Sequence, residues 1–166
     1  MDDRSLLDQI LQAWRVNNSI NLKLIRQIPR KGFDSVPLAS RGRTVAKQLM
    51  HMHKVHVGWL KFNGVELPAK AMPFPRDASP NRAQLVAAFR ASGRAVEQYV
   101  RERVESGQRT KFFQGKPVRW MCYIIAHDSH HRGQIALALK QNQMRLPEKV
   151  SLNDLWYSWY GDEPEK

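Results

Sequence analysis

Apolar residues recur along most of the chain at the three- and four-residue spacing that marks one face of an α-helix. Four segments show this pattern, and stretches rich in glycine, proline and polar residues separate them. The predicted helices cover residues 5–28, 44–62, 79–106 and 117–143. No segment alternates convincingly between apolar and polar residues in the manner of a half-buried strand. The pattern therefore predicts an all-α fold, a four-helix bundle.

The connection between the second and third helices is predicted to be a long crossover. Residues 65–78 include Pro68, Pro73 and Pro75, which cannot all lie inside one continuous helix. Ser79 followed by Pro80 then predicts the start of the third helix, because a serine hydroxyl can cap a helix whose next residue already has a helical φ. One long link among shorter ones is typical of bundles with nonuniform connections.

A short C-terminal helix is predicted over residues 152–160, after Pro147 interrupts the chain. Ser151 and Asp154 have the spacing of a capping box at its start. The segment carries four aromatic side chains, which could stack on a ligand but are expected to pack against the bundle: Trp156, Tyr157, Trp159 and Tyr160. Because 166 residues is the size of one domain, residues 1–166 are predicted to form a single bundle domain.

The six histidines fall into two clusters, one on the second helix and one on the fourth. His127 and His131 are four residues apart, so they share a helix face, and apolar residues before and after them predict that this face is buried. A single histidine on such a face is more often a hydrogen-bonded core residue than a ligand. The second cluster favours a metal site, because two imidazoles from one helix and one from another supply three neutral ligands and leave positions for water or substrate.

The third ligand cannot be chosen from helix geometry. On a helical wheel of the second helix, His56 lies nearest the middle of the apolar face, whereas His53 and His51 lie at its two margins. All three histidines therefore stay open as partners of His127 and His131.

Two segments resemble a known family. Residues 127–135, HDSHHRGQI, are similar to the motif of DinB/YfiT-like metal-binding proteins, and residues 45–60, VAKQLMHMHKVHVGWL, are similar to their second-helix segment, where a ligand histidine precedes an aromatic residue by eight positions. The resemblance implies that His51, His127 and His131 are the metal ligands and that Trp59 is the aromatic residue. It also implies a four-helix bundle that forms a homodimer.

Other residues of the fourth helix are candidates for supporting roles. Asp128 and His130 could orient the imidazoles or exchange protons, although both are expected to point at neighbouring helices. Gln134 could form a hydrogen bond to a metal-bound water. Gly133 is expected to permit close helix packing. Cys122 is expected to be a buried small apolar residue.

Composition adds a strongly basic balance, with 27 Lys and Arg against 15 Asp and Glu and a net charge of +12. An anionic partner such as nucleic acid is thus a candidate, but a weak one, because the basic residues are scattered rather than clustered. No apolar stretch approaches the ~20 residues needed to cross a bilayer. A single cysteine and the absence of a secretory signal at the N-terminus predict the cytoplasm.

The resemblance implies a divalent-metal protein whose enzymatic members activate a thiol or water nucleophile. Characterised members include thiol transferases that use bacillithiol or mycothiol and a thiol-dependent isomerase, so a low-molecular-weight thiol is the expected cosubstrate and a small electrophile the other partner. Zinc is the first choice of metal and nickel the second. The alternatives are a metal-dependent hydrolase, with Asp128 or His130 as general base, and a noncatalytic metal-binding stress-response protein. No catalytic residue is assigned.

Overall fold

The computed structural model of the protein describes residues 3–161. Four long helices lie in this range: α1 (Asp3–Gln27), α2 (Val45–Phe62), α3 (Arg82–Glu105) and α4 (Pro117–Gln141). No strand occurs among the described residues. The all-α bundle predicted from the apolar periodicity is confirmed.

Local caps set where α2 and α3 begin. Thr44 Oγ1 accepts a hydrogen bond from the Lys47 backbone amide at the start of α2. The predicted start of α3 at Ser79 was wrong, because Asn81 and Gln84 form a reciprocal capping box and the helix begins at Arg82. That box satisfies two backbone amides at once, which explains why the helix begins there rather than at the serine.

The long crossover between α2 and α3 covers residues 63–81 and contains one 3₁₀ turn, Ala69–Ala71. Its last part is fixed to α2, because Lys47 Nζ donates hydrogen bonds to the carbonyls of Arg76 and Ala78. The predicted crossover is confirmed, and it covers one side of the bundle next to α2.

A short helix follows α4, as predicted, and most of it is π-helical rather than α-helical. Lys149–Tyr157 is a π-helix, and Ser158–Tyr160 adds one α-helical turn; together they are called the C-terminal helix below. The predicted capping box was wrong, because Ser151 lies inside the helix and its Oγ donates to the carbonyls of Pro147 and Glu148. Lys23 Nζ donates to Ser158 Oγ and ties this helix to α1.

The core has two apolar clusters with a polar layer between them. One cluster includes Leu24 of α1 and Ile135 of α4, and the other includes Leu11 of α1 and Ile124 of α4. The residues between these positions are buried but polar: Asn17, Asn21, His53, His56, Ser92, Asp128 and His131. The buried titratable groups therefore lie at mid-height in the bundle. None of the described helices has the length and apolar character needed to cross a membrane.

Candidate metal centre

Three imidazoles meet between α2 and α4. One ring nitrogen from each of His51, His127 and His131 lies within 4.8 Å of the others. Nε2 of His51 is 3.2 Å from Nε2 of His127. His131 is buried, whereas the other two rings are half-buried, so the group is reached from one side of the bundle.

The environment keeps two of these rings uncharged near neutral pH. Burial lowers the pKa of His51, and the charges of Arg43, His127 and Lys54 lower it further. Burial, together with His127 and His51, lowers the pKa of His131 to about 4. Neutral imidazoles have a free nitrogen lone pair, which metal coordination requires.

The donor set fits a divalent metal ion. Two nitrogens that each lie at 2.0–2.1 Å from a tetrahedral ion are about 3.3 Å apart, close to the His51–His127 distance of 3.2 Å. Nδ1 of His131 is 3.4 Å from Gln48 Oε1, which leaves Nε2 for coordination. Such a contact on the second ring nitrogen is typical of ligand histidines. The residues present could therefore hold one ion.

His127 has a buried nitrogen with no partner among the described residues. Its Nδ1 makes no hydrogen bond, and the neighbouring carboxylate oxygen, Oδ1 of Asp128, is 3.9 Å away. That distance is too long for a hydrogen bond. Asp128 therefore lies beside His127 but does not bond to its ring.

Asp128 instead accepts hydrogen bonds from other helices. Nδ2 of Asn17 and Nδ2 of Asn21 lie 2.8 and 2.7 Å from its Oδ2, and Nε2 of His56 is 2.9 Å from its Oδ1. Burial alone would raise the pKa of this carboxyl group, but the His56 charge and the hydrogen bonds together hold it below its ordinary value. Asp128 points at neighbouring helices, as expected, and remains ionised inside the protein.

Arg132 completes this buried network. Its Nη1 donates to Oδ1 of Asn17 and Oδ1 of Asn21, at 2.8 and 2.7 Å. Each asparagine thus accepts from the guanidinium and donates to Asp128. The network joins side chains of α1, α2 and α4. It therefore fixes the part of the α4 backbone that carries His127 and His131.

The two alternative third ligands have other partners. His53 Nδ1 lies 3.2 Å from Ser92 Oγ, and its Nε2 is 3.2 Å from the Met72 carbonyl oxygen. Burial is the main cause that lowers the pKa of His53 to about 4. His56 bonds to Asp128. The structure brings neither ring into the group with His127 and His131, whereas it brings His51 there.

Several residues of α4 lie where they were not expected. His130 is exposed, and its Nε2 is 2.9 Å from Nε2 of Gln134, so it does not point at a neighbouring helix. Cys122 is exposed rather than buried. Gly133 does not support close helix packing, because a Cβ added there would meet nothing within 4 Å. These three side-chain positions lie on the outer surface of α4.

An aromatic groove lies along α2, near the three clustered histidines. Val55, Gly58, Trp59, Phe62 and Phe112 line it, with a volume of about 320 Å³. The Trp59 ring packs edge-to-face on Tyr123, whose ring centroid is 6.1 Å from that of His127. The groove therefore begins one helical turn from His51.

The Phe112 ring is held in this groove by a strained loop. Phe112 has φ of 59°, a left-handed conformation that costs a bulky residue on the order of 1 kcal/mol. Asn63 Oδ1 fixes the loop by accepting from the Lys111 amide and Thr110 Oγ1. Such strain is most often found at functional sites.

Sequence reasoning missed several of these residues. Gln48, Asn17, Asn21 and Ser92 are buried polar residues that contact the histidines or Asp128. The spacing of Asn17 and Asn21 was a usable signal, because two asparagines four apart in an apolar stripe need buried partners.

The fold and the facing imidazoles define a helical-bundle protein with a site that could hold a divalent metal ion. The chain belongs to the DinB family, since the family model described as DinB family matches residues 1–143. Comparisons with curated proteins and with solved structures found no match. The family match ends before the C-terminal helix.

Proposed function

We propose that the protein is a metal-dependent enzyme that activates a low-molecular-weight thiol for attack on an electrophile. The observation that carries this proposal is the group of three imidazoles at the edge of the core, with no carboxylate among its members. A divalent ion bound there supplies undiminished positive charge, which lowers the pKa of a thiol. Zinc is the first choice and nickel the second, because both suit imidazole ligands.

Cations beside the group suit an acidic thiol cosubstrate. Arg43 and Lys54 are exposed, and both lie close enough to lower the pKa of His51. Their positive charges can hold the carboxylates of a cosubstrate while its sulfur reaches the histidines.

The aromatic groove is suited to the apolar body of the electrophile. It starts one helical turn from His51, and at Gly58 a side chain would meet nothing within 4 Å, so the glycine leaves room for a ligand. Aromatic rings stack on flat apolar groups at little conformational cost.

Hydrolysis is supported less well. Asp128 is fully buried and accepts hydrogen bonds from three side chains, so it has no free path to a water molecule outside the network. His130 is the remaining candidate base from the motif, and it lies on the exposed side of α4. The positions of these two residues favour thiol chemistry over water activation.

The proposal is tested with protein purified without a polyhistidine tag. Bacillithiol or mycothiol is mixed with 1-chloro-2,4-dinitrobenzene, where a carbon–sulfur bond forms and chloride leaves with the thiol proton released to buffer. Chelation should abolish conjugation, and added Zn²⁺ or Ni²⁺ should restore it. His51→Ala should be inactive and His130→Ala active.

Conjugation that survives chelation would contradict the proposal. The absence of conjugation by the metal-loaded protein with either thiol would favour the noncatalytic alternative.

A further inference from the structure

A second pocket lies between the outer surface of α4 and the C-terminal helix. Its volume is about 740 Å³, within the range of small-molecule sites, and none of the three clustered histidines lines it. We propose that this pocket binds a small amphipathic carboxylate, a molecule with an apolar body and one acidic group. This site is separate from the thiol chemistry proposed above.

Large apolar side chains form its walls. Leu137 of α4 is 50% exposed, and Trp156 of the C-terminal helix is 61% exposed, although both line the pocket. Leu155 and Trp159 extend the same wall. Apolar side chains grouped in a concave surface indicate a binding site more than isolated exposed residues do.

The π winding directs Trp156 into the pocket. In an α-helix, residues five apart are separated by about 140° around the axis, whereas in a π-helix they lie on one face. Ser151 and Trp156 both line the pocket, and they are five apart within Lys149–Tyr157. Because π-helical segments are rare and are frequently found at functional sites, the winding supports a ligand-binding role.

The charged groups of the lining are all cations. Arg132, Lys140 and Arg145 line the pocket, and no acidic residue does. Ser129, Asn17 and Asn21 hold the Arg132 guanidinium in place. Within residues 3–161, the side chains of Lys140 and Arg145 make no hydrogen bond or ion pair, so both are available to an anion. An apolar pocket with free cations complements an apolar molecule that carries a carboxylate.

The pocket depends on a segment outside the family match. That match ends at residue 143, whereas Arg145, Leu155, Trp156 and Trp159 complete the wall. The site is therefore a feature of this chain's C-terminal helix combined with the outer surface of α4.

Two glycines allow a matched test. Gly133 lines this pocket and Gly58 lines the aromatic groove, and a Cβ at either position meets nothing within 4 Å. Gly133→Leu should therefore fill the pocket without disturbing the bundle, and Gly58→Leu is the control on α2. Both variants should keep the helical circular dichroism and thermal transition of the parent chain, because leucine is a better helix former than glycine.

Binding is measured by calorimetry with decanoate, and with decanol and decyltrimethylammonium as its neutral and cationic analogues, all below micelle formation. We expect decanoate to bind most tightly, Gly133→Leu to abolish binding and Gly58→Leu to leave it intact. Lys140→Gln with Arg145→Gln should weaken decanoate binding roughly five- to tenfold and change decanol binding little.

Other outcomes overturn the proposal. Equal affinity for decanoate and its cationic analogue would show that the cationic side chains of the pocket do not select for a carboxylate. Decanoate binding that persists in Gly133→Leu would place the ligand elsewhere. If decanoate does not bind and Gly133→Leu dissociates a dimer in sedimentation experiments, the surface is a contact between two copies of the chain instead.

Discussion

His56 and Asp128 form a fully buried pair, with Nε2 of the imidazole 2.9 Å from Oδ1 of the carboxylate. The pair joins α2 to α4 at mid-height in the bundle, beside the three-histidine group. Because Asn17 and Asn21 also donate to Asp128, the carboxylate satisfies donors from two other helices. The geometry of the candidate metal centre therefore depends on a residue that is not itself one of the three clustered histidines.

Asp128→Ala should destabilise the metal-free protein by about 3–5 kcal/mol, because it leaves three buried donors without their acceptor. Asp128→Asn should cost less, since its amide oxygen can still accept. Urea denaturation monitored by circular dichroism measures both. Asp8→Ala is the control, because Asp8 forms an exposed ion pair with Arg101 and its loss should change stability by less than about 1 kcal/mol. Equal effects at positions 8 and 128 would contradict the structural role of Asp128.

His53 should make the metal-free protein sensitive to acid. The unfolded chain protonates this residue near pH 6.5, whereas the folded protein does so only near pH 4. Between these values the unfolded state binds more protons, so the free energy of unfolding falls as the pH falls, by about 3 kcal/mol in total. Well above pH 6.5 the residue is neutral in both states and contributes no pH dependence.

The variant His53→Gln isolates this effect, since glutamine does not titrate. Its free energy of unfolding should decline less between pH 6.5 and pH 4 than that of the parent chain. Denaturation curves collected across this range provide the comparison. Parallel pH profiles for the two proteins would show that burial of His53 does not suppress its protonation.

Gln48 should support the candidate metal site through His131. Its Oε1 is 3.4 Å from His131 Nδ1, whereas Gln134 bonds to the exposed His130. Gln48→Leu should weaken metal binding roughly tenfold, the lower end of the range for loss of a group that orients a ligand. Gln134→Leu should have little effect. Competition with a chromophoric chelator measures the metal affinity of both variants. A larger loss of affinity in Gln134→Leu than in Gln48→Leu would contradict the supporting role of Gln48.

The sequence predicted the fold well because apolar periodicity determines which helix faces are buried. It predicted helix ends less well, since at α3 a reciprocal box between Asn81 and Gln84 replaces the simpler cap expected at Ser79. The winding of the C-terminal helix was not predictable from periodicity, and it leaves Trp156 exposed where packing was expected.

The sequence also placed His127 and His131 on one face, because residues four apart on a helix are neighbours. Periodicity could not choose among His51, His53 and His56, since a helical wheel indicates which side chains are buried and not which of them bind a metal. His56 is the more buried ring, and Asp128 engages it. Asn17 is 111 residues from Asp128 along the chain, so no local pattern could reveal that pairing.

The metal content of tag-free protein tests the central claim most directly. Elemental analysis should find about one divalent ion per chain in the parent protein and in His130→Ala, whose ring is exposed and bonded to Gln134. His131→Ala should lose the ion, because only two of the three clustered imidazoles remain. Unchanged metal content in His131→Ala would contradict the account of these three histidines as a metal site.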